Sequence, residues 1–382
     1  MGFGLIITVG EAKTLAPDTV FQWLVEARVE MELSKPTLFA LRFEDDICEG
    51  KREIADANIF TKDTLVGLFV VLEETKELEC LVYGPVTKIR ASSLLGGPGS
   101  WVEIHGEDRR VMMGRKGVQG TYSGLASATA SAILPLYGFT PDTQDTLIEY
   151  DTKDNQLTQS GTDLAFIEDI ARRNNMDFWI EYKVTNEAPI ALTETAKLRT
   201  SPERTQQAGA APQVPTLAPD AGKVLRVNPP ADKCPNINTF DTRINFEKPT
   251  SASGFAMSAD DDKAIVKNMV DETAAPPVDT EKPAKVSTGK RETIAPPKTT
   301  PQESFLAQEA LVFEQSWFVE ADCSATRDQL GFIVRPHQIV KVANAGDPLS
   351  GGYQVMKATH VVNPTDHFMD FTIRANGLGG VN

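Results

Sequence analysis

The sequence is poor in basic charge, in histidine and in cysteine. Its 382 residues carry 38 Lys plus Arg against 53 Asp plus Glu, a formal net charge of −15. A surface with that balance repels phosphate, so the chain as a whole is not built to grip nucleic acid specifically or an anionic membrane. The four cysteines (Cys48, Cys80, Cys234 and Cys323) lie far apart and form no CxxC pair. That spacing excludes a dense disulfide framework or a zinc ribbon, and the expectation is synthesis in a reducing cytoplasm. Long hydrophobic runs are missing too. The longest, Leu65 to Leu72, falls far short of the ~20 residues that span a bilayer, so no membrane insertion is expected. No basic segment precedes the short apolar patch at the N-terminus, which argues against a signal peptide.

Catalytic patterns are equally scarce. His105, His337, His360 and His367 are the only histidines, and none stands in an HExxH, HxH or Cys/His chelating spacing. His360 and His367 are seven apart across Pro364 and can face each other in a hairpin, which reads as strand packing. There is no Walker A loop, and LGGPGS near residue 97 reads as a turn because no strand-to-helix transition accompanies it. Ser123 lacks a nucleophile elbow. The acidic runs Glu44–Asp46 and Asp260–Asp262 have neither the paired-carboxyl logic of acid–base catalysis nor an EF-hand pattern, so solvated charge is expected. No catalytic residue, metal ligand set or cofactor site is assigned. Trp101, Trp179 and Trp317 sit in strand patterns beside apolar neighbours and read as packing residues rather than sugar-stacking platforms.

What is present is the patterning of a folded chain. Hydrophobic residues make up 41% and charged residues 24%, and the length calls for more than one unit, since domains typically run to ~100–200 residues. Residues 1–110 read as short strands with turn signals, including a turn at Gly84-Pro85, and this pattern predicts a barrel or sandwich. Residues 111–185 change to an α+β unit. Leu125, Ala128, Ala132 and Leu136 fall at helical spacing before Gly138, where a left-handed cap belongs. A second helix starts at Thr162 with the stripe Leu164, Ile167, Ile170 and Ala171, followed by the strand MDFWIEY with Met176, Phe178, Ile180 and Tyr182 on one face. Residues 186–222 and 249–303 are rich in Pro, Ala, Thr and Ser. They read as a linker or loop and as a low-complexity insertion, because such segments bury too little apolar surface to offset the entropy of ordering. Residues 223–248 and 304–382 form the second β-region, with a helix in PQESFLAQEALVFEQ and alternation of Met369, Phe371 and Ile373 in the last strand.

Three segments in order resemble one family. SGTDLAFIEDIARRNNMDFWIEY is similar to the helix–strand signature of phage late-control D proteins and VgrG-type spike proteins, with Ser160, Asp163, Leu164, Phe166, Phe178 and Trp179 at the matching positions. LASATASAILPLYGF, ending at Gly138, resembles the helix before it. RPHQIVKVANAGDPLSGGYQVMKATHVVN matches through Pro336, Val340, Val342, Gly352, Tyr353, Val355 and His360. His337 stands where the family usually has Gly.

The resemblance implies a mainly β fold with α+β: two similar tube-like β-barrel domains plus a small peripheral α/β domain, assembling as a trimeric ring. It also implies a non-enzymatic, structural baseplate hub of a contractile tail or contractile injection system. The homotrimer would adapt a sixfold tail tube to a threefold central spike and form part of a channel for DNA or effectors. The implied partners are the tail tube protein, the central spike protein, baseplate wedge proteins and the tape-measure protein, in a virion tail baseplate or an injection particle. The spike is expected to be a separate polypeptide. Excess negative charge facing the lumen would keep DNA or acidic cargo from sticking. The readings from other classes are a tail-associated cell-wall-degrading enzyme, which needs a carboxyl pair or a metal, and a glycan-binding adhesin.

Overall fold

In the computed structural model, residues 4–45, 51–72, 76–94, 99–151, 156–185, 190–203, 219–247, 251–257, 265–270, 291–293 and 301–378 are described. The first β-region contributes six principal strands: β1 (Leu5–Val9), β2 (Leu24–Glu32), β3 (Leu38–Glu44), β4 (Leu65–Val71), β5 (Leu78–Ser92) and β6 (Trp101–Glu107). Period-two alternation dictates the faces. Ala27, Val29 and Met31 of β2, Phe39, Leu41 and Phe43 of β3, and Val102 and Ile104 of β6 all point into one core, each large side chain contributing roughly 1.5–3 kcal/mol by leaving water. Gly84-Pro85 is not a turn. It is the corner of the fifteen-residue β5, whose first half pairs with β4 and whose second half pairs with β6. A Cβ on Gly84 would lie 1.8 Å from the Glu107 carbonyl oxygen, so only glycine lets the strand cross there.

The middle unit begins with β7 (Gly117–Tyr122) and α1 (Ala126–Ile133), continued by a 3-10 turn at Leu134–Tyr137 that Gly138 closes at φ 79°. The buried face of α1 is Ala126, Ala130 and Ile133, while Ala128 and Ala132 are exposed and Leu136 is 77% exposed. The stripe predicted from the sequence is therefore displaced. An alanine-rich helix has little contrast between its faces, and the tightened turn at Leu134 rotates the residues beyond it. After β8 (Thr140–Thr143) and β9 (Leu157–Thr162), α2 (Asp163–Arg173) matches the expected pattern. The Thr162 side chain accepts a hydrogen bond from the Ala165 amide, and Ile167, Ile170 and Ala171 are buried. β10 (Asp177–Thr185) then pairs along its whole length with β11 (Ala191–Arg199), which also lies parallel to β8. Residues 191–199 thus form a strand inside the stretch read as a linker. Its inward set is Glu194, Ala196 and Leu198, and a charged residue in that set hides the alternation.

The second β-region supplies β12 (Val224–Arg226), β13 (Thr239–Ile244), α3 (Pro301–Ser316), β14 (Val319–Thr326), β15 (Ile339–Ala343), β16 (Gly351–Val362) and β17 (His367–Ala375). Ser251–Met257, Ile265–Val270 and Arg291–Thr293 form a separate three-stranded sheet within the insertion; the Asp260–Asp262 run lies outside the described residues.

The two β-regions are one topology used twice. The first runs β2-β3-β6-β5-β4-β1 in space, and the second runs β13-β14-β17-β16-β15-β12, the same path strand for strand. Even the irregularities correspond: both corner strands slip register at the switch of partners, β5 between Val86 and Lys88 and β16 between Val355 and Lys357. One difference is that β1 is antiparallel to β4 whereas β12 is parallel to β15. The modules are not separate barrels. The second half of β16 pairs with β2, from Lys357 opposite Glu32 to Val362 opposite Ala27, and so fuses them into one thirteen-stranded sheet with a single large core. Among the described residues no pairing closes that strand path.

Candidate functional site

The candidate functional surface is the outer face of the run β13-β14-β17-β16-β2-β3-β6-β5. Alternation that sends apolar residues to the core sends charge to this face. It carries Glu26, Arg28, Glu30 and Glu32 from β2, Arg42 and Glu44 from β3, and Glu103, His105 and Glu107 from β6. From the second module come Asp241 and Arg243 of β13, Asp322 of β14, Lys357 of β16 and Asp370 of β17. The bases are largely engaged. Arg28 pairs with Glu30 at 2.7 Å, Arg243 with Asp322 at 2.7 Å, and Arg42 and Arg90 both reach Glu103, at 3.5 and 3.6 Å. Acid outnumbers base, and each pair already consumes much of the field a passing ion would feel. Burial and the neighbouring Asp108 push the Glu107 carboxyl up.

A buried junction holds the middle unit to the sheet. Asp108 and Arg110 come directly after β6, and both side chains are almost fully covered. Arg110 donates from Nη2 to Asp108 Oδ2 at 2.7 Å and to the Lys35 carbonyl at 2.8 Å, and from Nη1 to the Phe178 carbonyl at 2.7 Å. Asp108 Oδ2 also accepts the Thr37 amide at 2.7 Å. One guanidinium thus ties the β2–β3 connection to β10, as its planar fork of donors permits. Next to it, Arg109 pairs with Glu194 of β11 and donates to the Tyr137 carbonyl at 2.6 Å. Burial pushes the Glu194 carboxyl up, and Arg109 opposes that shift.

Most of the residues singled out by motif lie at this junction or in the cores. Asp163 is buried, accepting from Tyr137 Oη and Gln159 Nε2, each at 2.6 Å. Phe166 stacks on Tyr122 at 5.5 Å, Phe178 lies beneath Arg110, and Leu164 is half-buried beside them. Ser160 is exposed on β9. Trp179 stacks on His337 with ring centroids 3.9 Å apart. His337 adopts φ 72°, the left-handed conformation for which glycine is favoured. Its imidazole contacts Ser201 Oγ at 2.8 Å. His337 thus makes the left-handed turn after Pro336 and adds a contact between units. Burial lowers its pKa to about 3. Val340, Val342 and Val355 are fully buried, Gly352 is buried, and Tyr353 donates to the Leu349 carbonyl at 2.9 Å.

His360 and His367 do meet, at 3.0 Å between Nδ1 of the first and Nε2 of the second, inside the core, and His360 Nε2 lies 2.9 Å from the Val334 carbonyl. That carbonyl accepts only, so His360 is protonated on Nε2 and takes the His367 Nε2 proton on Nδ1. Burial, then the neighbouring imidazole, holds His360 well below its ordinary pKa, and burial lowers His367 to about 4. The remaining candidates have structural settings. Asp45 caps the loop amides of Glu53, Ile54 and Ala55. Trp101 lies under Arg42 and Arg90, and buried Trp317 under Arg374. Sequence reading missed Asp108, Arg109, Arg110 and Glu194; the one available signal was an Arg pair directly after a strand.

No protein-family model and no curated protein matches the chain. The architecture is nonetheless shared: the chain has the fold of phage tail proteins and of a type VI secretion component. The 43 kDa tail protein of prophage MuSo2 from Shewanella oneidensis aligns with a TM-score of 0.58 at 11% identity, over 97% of each chain. The tail protein from Neisseria meningitidis MC58 gives a TM-score of 0.56 at 10% identity, over 98% of this chain and 97% of that one. A component of the type VI secretion system from E. coli, described as structurally similar to the T4 bacteriophage tail proteins gp27 and gp5, gives 0.51 at 11% identity, over 94% and 76%.

Proposed function

We propose that this chain is the structural baseplate hub of a contractile tail or contractile injection system. Three copies form a ring that presents six β-modules to a sixfold tail tube and threefold symmetry to a central spike. The observation that carries this reading is the duplicated six-strand module. Two copies of one topology, joined side by side in each chain, give a trimer six near-equivalent modules. The fold shared with tail proteins supports the same role. The charged outer face of the continuous sheet lines the channel, and wedge and tape-measure proteins meet the periphery and the bore. The two closed barrels expected from the sequence become, in this reading, two modules whose inner strands close only when the ring does.

Light scattering and negative-stain imaging test the proposal together. The expected result is a mass three times 41.6 kDa and a central pore with pseudo-sixfold density. A stable monomer at micromolar concentration overturns it.

A further inference from the structure

The duplicated module leaves half of its own joint unused. Within the chain, the corner strand of the second module (β16) takes the first strand of the first module (β2) as its neighbour. The complementary pair is the corner strand of the first module, β5, and the first strand of the second, β13. Among the described residues β13 ends the strand path, with β14 as its one partner, and β5 beyond Val86 pairs with β6 alone. The two edges lie at opposite ends of one run, so they meet when a second copy is placed head to tail.

We infer that Lys88–Ser92 of one copy pairs antiparallel with Asp241–Asn245 of the next, reproducing the internal joint. This deepens the ring reading above and rests on it.

The internal joint also fixes the register. Lys88 occupies the place of Lys357, each just past the bulge of its corner strand. Through the ladders to β3 and β14, Met31 corresponds to Ile244 and Val29 to Thr242. Inside the chain Ala358 lies opposite Met31, and both are buried, at 0% and 5% exposure. Their counterparts Ile89 and Ile244 are large, apolar and exposed, at 47% and 37%. Both face the core side of their sheets, Ile89 beside Ile104 and Ile244 beside Val319. Pairing them continues the core across the joint and covers two of the chain's exposed aliphatic side chains. On the charged face the same register sets Arg90 opposite Arg243. Each already holds a carboxylate, Glu103 (which Arg42 shares) and Asp322 respectively, so the two guanidinium groups meet with countercharge already beside them. A partner of another kind would need to copy both the register and the bulge, and a second copy of this chain carries them already.

The test is disulfide trapping of the full chain. Ile89→Cys and Ile244→Cys are combined in a background with Cys48→Ser and Cys234→Ser. Directly opposed strand residues have Cα atoms ~4.5–5.5 Å apart, within disulfide reach. Mild oxidation is expected to move the monomer band to linked dimers and trimers on non-reducing gels, with the 89–244 peptide recovered by mass spectrometry. Neither single variant should do so, and Ile89→Cys with Thr242→Cys should link far less. A trimer by light scattering without the 89–244 link overturns this joint and leaves the ring standing. Equal linking through position 242 overturns the register. A monomer overturns both ring and joint.

Discussion

Arg110 is held by five oxygen contacts from three parts of the chain, and almost none of its surface meets water. Its replacement by methionine keeps much of the volume but strands Asp108 without its countercharge, so a loss of roughly 3–5 kcal/mol is expected. Urea unfolding of the variant measures it, and a loss below about 1 kcal/mol would contradict the junction. The buried histidines make a second prediction. His337, His360 and His367 stay neutral in the fold because burial depresses their pKa values, to about 3 and about 4 for the first and last. In the unfolded chain they protonate near 6.5. Below that pH the unfolded state binds more protons, so stability, complete above pH 6.5, falls toward pH 4 by up to about 1.4 kcal/mol per pH unit for each histidine. Denaturation midpoints at pH 7.5, 6 and 5 check the slope; a flat profile refutes it. The histidine pair was legible because Pro364 marks a hairpin and the spacing puts both rings on one face, where they meet diagonally, His360 lying opposite Met369 and His367 opposite Val362. Arg110 was not, because a lone arginine after a strand looks the same whether water or a carboxylate receives it.

At the scale of elements, legibility tracked contrast. α2 was clear because a capping Thr162, an acidic first turn and a wide apolar stripe agree. α1 offered mainly small residues and its face was misassigned, and β11 was missed because Glu194 points inward to meet Arg109. The fusion of the modules was also beyond the sequence. The seam of β16 with β2 joins residues more than three hundred positions apart, and strand alternation says which face is buried but not which edge is shared. The corner of β5 carries its own prediction. Gly84→Ala drives a methyl into the Glu107 carbonyl and the Asp108 Cα, which would lie 2.8 Å away. Backbone on both sides leaves no flexible atom to give way, so at least about 1–3 kcal/mol of destabilisation is expected, more if β5 and β6 part. A thermal melt that matches the parent would show that the corner has slack.

For the whole molecule, the opening charge deficit acquires a location and a limit. The outer face of the sheet bears acid in excess, but Arg28, Arg42, Arg90 and Arg243 are spent on its carboxylates. Such a wall should be weakly repellent to anions rather than strongly charged. Double-stranded DNA at ~0.15 M salt, where the Debye length is only about 8 Å, is therefore expected to pass a column of immobilised protein without retention. Retention that vanishes on raising the salt would instead reveal a basic track.

The uninterrupted run from β13 to β5 also sets a ruler. Each chain lays eight strands edge to edge, and neighbouring strands stand ~4.8 Å apart, so a ring of three measures about 115 Å around and about 37 Å across the backbone before any strand tilt widens it. Side chains reaching inward from both walls leave an opening of about two α-helix diameters. In the proposed ring of three, the bore is set by how many strands each chain spends on the inner wall, and a slender rod or a chain not yet folded is the cargo that such a bore would admit.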